Sequence, residues 1–156
     1  MEVVPFRESN IDTVFRIKGA AYKPLYDKYQ DRDTSPYSES KETVLQKYTK
    51  QGTKGYLFIK NRVPVGTVRI KLSPDGKIAW VSGLAVLPQY QGQGIAQQAL
   101  LTIEEIHKEV EKWCLITVLQ EPKNCHLYEK LGYHRTGKTE IVNDKMTFVY
   151  YEKDKA

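Results

Sequence analysis

A glycine-rich turn between a strand-like run and a helical pattern constrains this chain more than any other feature. From Val81 the residues run Val-Ser-Gly-Leu-Ala-Val-Leu, and Pro88 ends the extended stretch. Gln91-Gly92-Gln93-Gly94 follows, and an amphipathic pattern begins at once. Glycines remove Cβ atoms, so backbone N–H groups can approach a ligand closely. The start of the helix leaves about four N–H groups without intrahelical acceptors and carries roughly half a positive charge. The segment therefore predicts a strand, a tight turn and a helix N-terminus shaped to receive a phosphate or diphosphate.

Two common phosphate loops do not fit. In the pattern GxxxxGK followed by Ser or Thr, a lysine must follow the second glycine, and none stands at that spacing here. The dinucleotide pattern GxGxxG fails because Gly92-Gln93-Gly94-Ile95-Ala96-Gln97 ends in glutamine. The preceding strand also comes too late in the chain to open a doubly wound sheet.

The rest of the chain reads as alternating elements without repeats. Val3 to Arg7 is a short edge-type strand that tolerates Pro5. Ser9-Asn10-Ile11-Asp12 offers N-caps for a helix to about Ala21. Tyr22 to Tyr37, dense in Tyr, Asp and Pro, reads as a loop or broken helix. Ser38 or Ser40 caps a second helix that ends before Gly52. Three strands follow, at Gly55 to Lys60, Val63 to Leu72 and Lys77 to Val86. The last is interrupted by Gly83, which marks a bulge or a close backbone approach. After Gly94, the stripe Ala96, Ala99, Leu100, Ile103, Ile106, His107 and Val110 predicts a helix to about Glu111. Cys114 to Leu119 is a continuous apolar strand of the buried parallel type. A short helix from about Asn124 closes at Gly132, and a hairpin turning at Asn143-Asp144 joins Tyr133–Val142 to Lys145–Lys153.

The expectation is one α/β (α+β) domain over residues 1–156, with a mostly antiparallel sheet in front and one strand–helix–strand unit behind. A length of 156 residues supports such a core without staples. Cys114 and Cys125 are too few for a disulfide scaffold and have no metal-ligand spacing, so they read as reduced thiols and no metal is expected. Lys and Arg total 24 against 19 Asp and Glu, a basic but mixed balance that reads as a solvated surface and not a nucleic-acid face. No apolar run approaches the roughly 18 residues that span a bilayer. The N-terminus Met1-Glu2-Val3-Val4-Pro5 lacks a basic segment followed by an apolar one, so a cytoplasmic protein is expected.

Gln91-Gly92-Gln93-Gly94-Ile95-Ala96 resembles the cofactor-binding signature of the GNAT superfamily of acyl-CoA-dependent N-acetyltransferases. Leu84-Ala85-Val86 before it looks like that family's central strand, and Asn124, Tyr128 and Gly132-Tyr133 look like its second motif. The resemblance spans nearly the whole chain. It implies a single domain whose mixed sheet has about seven strands, a central splayed parallel pair and about four helices. It implies acetyl-CoA as cosubstrate, with its diphosphate on the backbone amides of Gln91, Gly92, Gln93, Gly94, Ile95, Ala96 and Gln97. The pantetheine arm would pair with the backbone of Leu84 and Val86, flanking Ala85, and Asn124 would hydrogen-bond that arm. Tyr128 matches the family tyrosine that protonates the departing sulfur, a role a neutral phenol can fill.

The implied activity is direct transfer of an acetyl group to a primary amine of a small molecule or peptide, by a monomer or homodimer. The alternative is a non-catalytic module of the same fold that binds acyl-CoA or a partner protein. Ser82 stands where many relatives carry a glutamate base; Glu121, an acid in the Tyr22 to Tyr37 segment or a water chain would have to substitute. His126 and His134 read as ordinary histidines and Cys125 as no nucleophile. In this family the first helices and their connection shape the acceptor site. Here Tyr26, Tyr29 and Asp31 are the candidate contacts for a cationic amine, through cation–π attraction and charge pairing.

Overall fold

The structure, a computed structural model, describes residues 1–30 and 35–155. Its elements run β1 (Glu2–Pro5), α1 (Ile11–Tyr29), α2 (Lys41–Thr49), β2 (Thr53–Lys60), β3 (Val63–Leu72), β4 (Ile78–Val86), α3 (Ile95–Ile106), β5 (Lys112–Val118), α4 (Pro122–Lys130), β6 (His134–Ile141) and β7 (Thr147–Asp154). The seven strands form one sheet in the order β1-β2-β3-β4-β5-β7-β6. Every pairing is antiparallel except β4 with β5. The expected architecture is therefore present.

Helices cover both faces. On one, Ala99, Leu100 and Ile103 of α3 pack on Val68, Ile70, Ala79 and Val81 of the sheet. On the other, Val14 of α1 and Val44 and Tyr48 of α2 pack on Leu57, and Ile17 packs on Ala85 and Leu87. Strict alternation along β4 would put Ala85 on the same face as Ala79 and Val81. It lies on the opposite one, because β4 carries an extra residue. Ser82 faces Arg69 and Ala85 faces Thr67, so Gly83 and Leu84 together oppose Val68. Gly83 takes a left-handed φ of 63°, the conformation such a bulge requires.

Several boundaries differ from the sequence expectation, β2 and β5 each starting two residues earlier, at Thr53 and Lys112. Helix α1 does not stop at Ala21. It runs through Pro24 to Tyr29 and ends on a left-handed Gln30, whose N–H donates to the Tyr26 carbonyl. Tertiary contacts of Tyr22 and Tyr29 hold this extension and override the proline penalty. Helix α3 ends at Ile106 because His107 leaves helical geometry and buries its ring between Tyr56 and Trp113. Helix α4 begins at Pro122, a residue suited to the first helical position, so Asn124 lies inside its first turn and is not its cap. The β6–β7 connection takes in Val142 to Met146, with two N–H groups donating to the Met146 carbonyl, so β7 starts at Thr147.

One buried charge cluster lies behind the bulge. Lys18 is 1% exposed, with Nζ 3.5 Å from a Glu39 carboxylate oxygen. Lys47 also pairs with Glu39. Burial lowers the Lys18 ammonium to about 8; Glu39 pulls it back up, while Arg69 and Lys47 push it further down. The unfolded chain holds that proton up to its ordinary value near 10.5, so it binds more protons than the native state between these two values. Native stability from this group is therefore poorest below pH 8 and recovers as pH rises towards 10.5. Urea unfolding of the parent and Lys18→Met across that window is expected to show the parent gaining about 3 kcal/mol on the variant. A flat or opposite trend would refute the buried ammonium.

Candidate active site

The parallel pair is hydrogen-bonded over only part of its length. Ile78 to Val81 pair with Lys112 to Leu115, and beyond that point β4 and β5 separate. The bulge at Gly83-Leu84 turns β4 away from its neighbour, and a cleft of about 780 Å³ opens between the strands. Its walls include Ser82 to Val86 of β4, Ile116 to Val118 of β5, the turn before α3, and the inner side of α4.

At one end of the cleft the chain turns through Gly92 and Gly94, both left-handed, at φ of 78° and 79°. Gly94 is the N-cap of α3 and has no side chain to offer the amides above it. The first turn closes with the Gln98 N–H donating to the Gly94 carbonyl. Among the described residues, the N–H groups from Gly92 to Gln97 have no acceptor. A Cβ built on either glycine meets nothing within 4 Å, so both face open space. Lys60 lies close by, with Nζ 2.6 Å from the Gln93 side-chain oxygen, and adds positive charge to the rim.

Gln91 departs from its expected role. Its N–H donates to the Pro88 carbonyl and its side-chain amide donates to the Val86 carbonyl at 2.9 Å. It ties the turn to the end of β4 instead of presenting a free amide. Ala85 and Val86 are buried core residues, so only their backbone is open to a ligand. The Leu84 carbonyl accepts a hydrogen bond from the Tyr22 hydroxyl at 2.5 Å. Sequence reasoning missed Tyr22, because it placed that residue in a loop or broken helix; the continuous helix carries it over β4.

Helix α4 places Tyr128 in the wall of the cleft. Its ring packs edge-on against Tyr133 and tilts against Tyr151. One turn earlier, the Cys125 thiol donates to the Val118 carbonyl at 3.6 Å and fastens the helix to β5. The Tyr128 hydroxyl has no hydrogen-bond partner among the described residues. Burial, reinforced by the neighbouring Cys125, holds the phenol far above its ordinary value. It stays protonated at any working pH and is a donor. Asn124 and His126 share the lining on the same helix, and His134 lies on the exposed strand β6.

At the other end of the cleft, the last turns of α1 bring Tyr26 and Tyr29 to its edge. Tyr29 donates to Glu121 at 2.5 Å, and Lys28 forms an ion pair with the same carboxylate oxygen at 2.8 Å. Burial raises the Glu121 carboxyl, but Lys28 and Tyr29 outweigh it and keep the group below its ordinary value. Asp31, the third expected contact, lies outside the described residues.

The sheet is thus split at its parallel pair, with free amides and a protonated phenol lining the cleft. Residues 22–133 match the family described as Acetyltransferase (GNAT) family, and the chain belongs to it. Acetyl-CoA is the acetyl donor of that family. Among solved structures, the chain is similar to the ribosomal-protein-S18-alanine N-acetyltransferase from Escherichia coli, at 14% identity and a TM-score of 0.80 over 98% of this chain and 92% of that one. It is similar to the spermidine N-acetyltransferase from Vibrio cholerae in complex with CoA and spermine, at 15% identity and a TM-score of 0.76 over 97% and 93%. It is also similar to an acetyltransferase from Thermus thermophilus, at 18% identity and a TM-score of 0.75 over 99% and 96%. No curated protein matches the chain in sequence.

Proposed function

We propose that this chain is an N-acetyltransferase that moves the acetyl group of acetyl-CoA directly to a primary amine. The observation that carries the reading is the continuity of the cleft. The unpaired amides of Gly92 and of Gly94 to Gln97, the separated strands and the Tyr128 phenol line one cavity. The amides and Lys60 receive the diphosphate, where charge-assisted hydrogen bonds are strong. The pantetheine arm lies between β4 and β5, against backbone that β5 does not satisfy there, with Asn124 alongside. Tyr22 holds the Leu84 carbonyl and fixes the bulged backbone beside the thioester.

The amine must lose a proton before it attacks, since an alkyl ammonium has a pKa near 10.4. Glu121 is held ionised and suits an electrostatic anchor for the ammonium better than a strong base. The open cleft releases the proton to solvent, which fits the serine at position 82. The neutral nitrogen then forms a bond to the thioester carbonyl carbon, and the carbon–sulfur bond breaks. Tyr128 gives its proton to the departing sulfur and regains one from the second N–H of the amine through water. The balance is ammonium plus thioester to amide, thiol and one released proton.

The relatives in solved structures are named for an alanine of a ribosomal protein and for spermidine, so both a protein and a polyamine stand among the acceptors to try. The direct test pairs calorimetry with acetyl-CoA and a free-thiol assay over a panel of amines. Tight binding with amine-dependent release of CoA is expected. Binding without release from any amine would make the chain a sensor of acyl-CoA, and no heat at all would remove the reading.

A further inference from the structure

The acceptor end of the cleft carries a second chemical signature, which goes beyond the transfer reaction and rests on it. Helix α1 packs on β3 and β4, and α2 on β2, so the same face of the sheet is left open beyond α1. There Trp80 of β4 and Ile116 of β5 are 38% and 42% exposed, although both lie on central strands. Phe148 and Met146 flank them from the β7 side, and all four line the cleft with Tyr26. Large apolar side chains left open inside a cleft, and not scattered over a surface, mark a place that a ligand covers. The Tyr26 ring is itself held by Tyr37, with centroids 5.0 Å apart.

The polar content of this end is small. Glu121 is the lone carboxylate in the lining among the described residues, and it is already shared between Lys28 and Tyr29. Among the described residues, a polyamine entering here would strip water from several ammonium groups with one partly committed carboxylate to meet them and the Lys123 cation in the same lining, a costly exchange. A single ammonium beside Glu121, with an apolar body over Trp80, Ile116 and Phe148, satisfies both halves of the site and gains cation–π attraction from the rings.

We propose that the acceptor is a monoamine with an aromatic or branched aliphatic body, seated on Trp80, Ile116 and Phe148 with its nitrogen next to Glu121. The test compares phenethylamine, isoamylamine and spermidine as acceptors for the full chain with acetyl-CoA, by release of free thiol. The two monoamines are expected to exceed spermidine in kcat/KM by on the order of tenfold or more. Trp80→Ala is expected to raise the KM for phenethylamine by about tenfold while acetyl-CoA affinity, read by calorimetry, stays within about twofold. Phe148→Ala serves as a second probe should Trp80→Ala fail to fold, which its melting curve reports. Spermidine turning over as well as the monoamines would overturn the assignment. So would an unchanged KM in both variants, or no amine turnover by a chain that binds acetyl-CoA. Loss of acetyl-CoA binding in the parent chain would instead sink the transferase reading beneath it, and the acceptor assignment with it.

Discussion

Tyr128→Phe is expected to lower kcat by about 100-fold or more and to leave acetyl-CoA affinity within about twofold, in keeping with the usual contribution of a general acid. The substitution removes one oxygen and keeps the ring, so the packing against Tyr133 and Tyr151 survives. The hydroxyl has no partner in the described protein, so its loss leaves no orphaned group behind. What disappears is the proton donor facing the cleft. Single-turnover measurement of thiol release isolates this step from product departure. The pH profile supplies a second reading. Burial keeps the phenol protonated well beyond the ordinary tyrosine range, so activity is expected to show no alkaline limb near pH 10 that belongs to Tyr128. A limb there that vanished in the Phe variant would mean that the hydroxyl is solvated and not buried. An unchanged kcat would mean that the sulfur leaves without this proton.

Gly94→Val acts on the other end of the cleft and is expected to weaken acetyl-CoA binding by on the order of 30-fold, the loss of one or two charge-assisted hydrogen bonds. Two physical effects combine. The φ of 79° is strained for a branched side chain, at roughly 1–3 kcal/mol. The new methyl groups also project into the open space that the free amides face. Strain alone predicts a lower melting temperature without a specific change in affinity. Gly137→Val separates the two. Gly137 has a φ of 93° and equally open surroundings, but it lies on the exposed strand β6, away from the turn. Its variant is expected to lose comparable stability and to bind acetyl-CoA normally. Equal loss of affinity in both variants would move the cause from the amides to global stability. Residual binding that weakens less steeply with added salt than the parent's would complete the picture, because the contact being removed is electrostatic.

Much of this site is local in origin, and local features are what a sequence displays. The glycine pair, the helix stripe that follows and the Pro88 break all act within a few residues of one another, so the glycine turn and the helix N-terminus it opens are legible without a structure. Gly83 is similar: a glycine inside a strand pattern needs a backbone reason, and the reason is the bulge. A further local signal stands at the start of α4. Pro122 after Glu121 marks the first position of a helix, which sets Asn124 inside α4 and Tyr128 two turns from its start.

Other assignments depend on distant partners. The stretch from Tyr22 to Tyr29 has the composition of a loop and a proline besides, and it is helical because Tyr22 reaches Leu84 and Tyr29 reaches Glu121, 62 and 92 residues away. Propensity is a small term, and contacts of this kind outweigh it. Gln91 belongs to a motif that suggests a free amide, and its local turn uses that amide up.

From its residues alone, then, this chain specifies the order of its elements and the glycine turn that opens α3. Each follows from backbone preferences and spacing over short distances. How far α1 roofs its face of β4 and β5, and so where that face stays open with Trp80 and Ile116 exposed, is decided only when the helices pack. Periodicity states that a strand has two faces; the tertiary arrangement decides how much of each is covered.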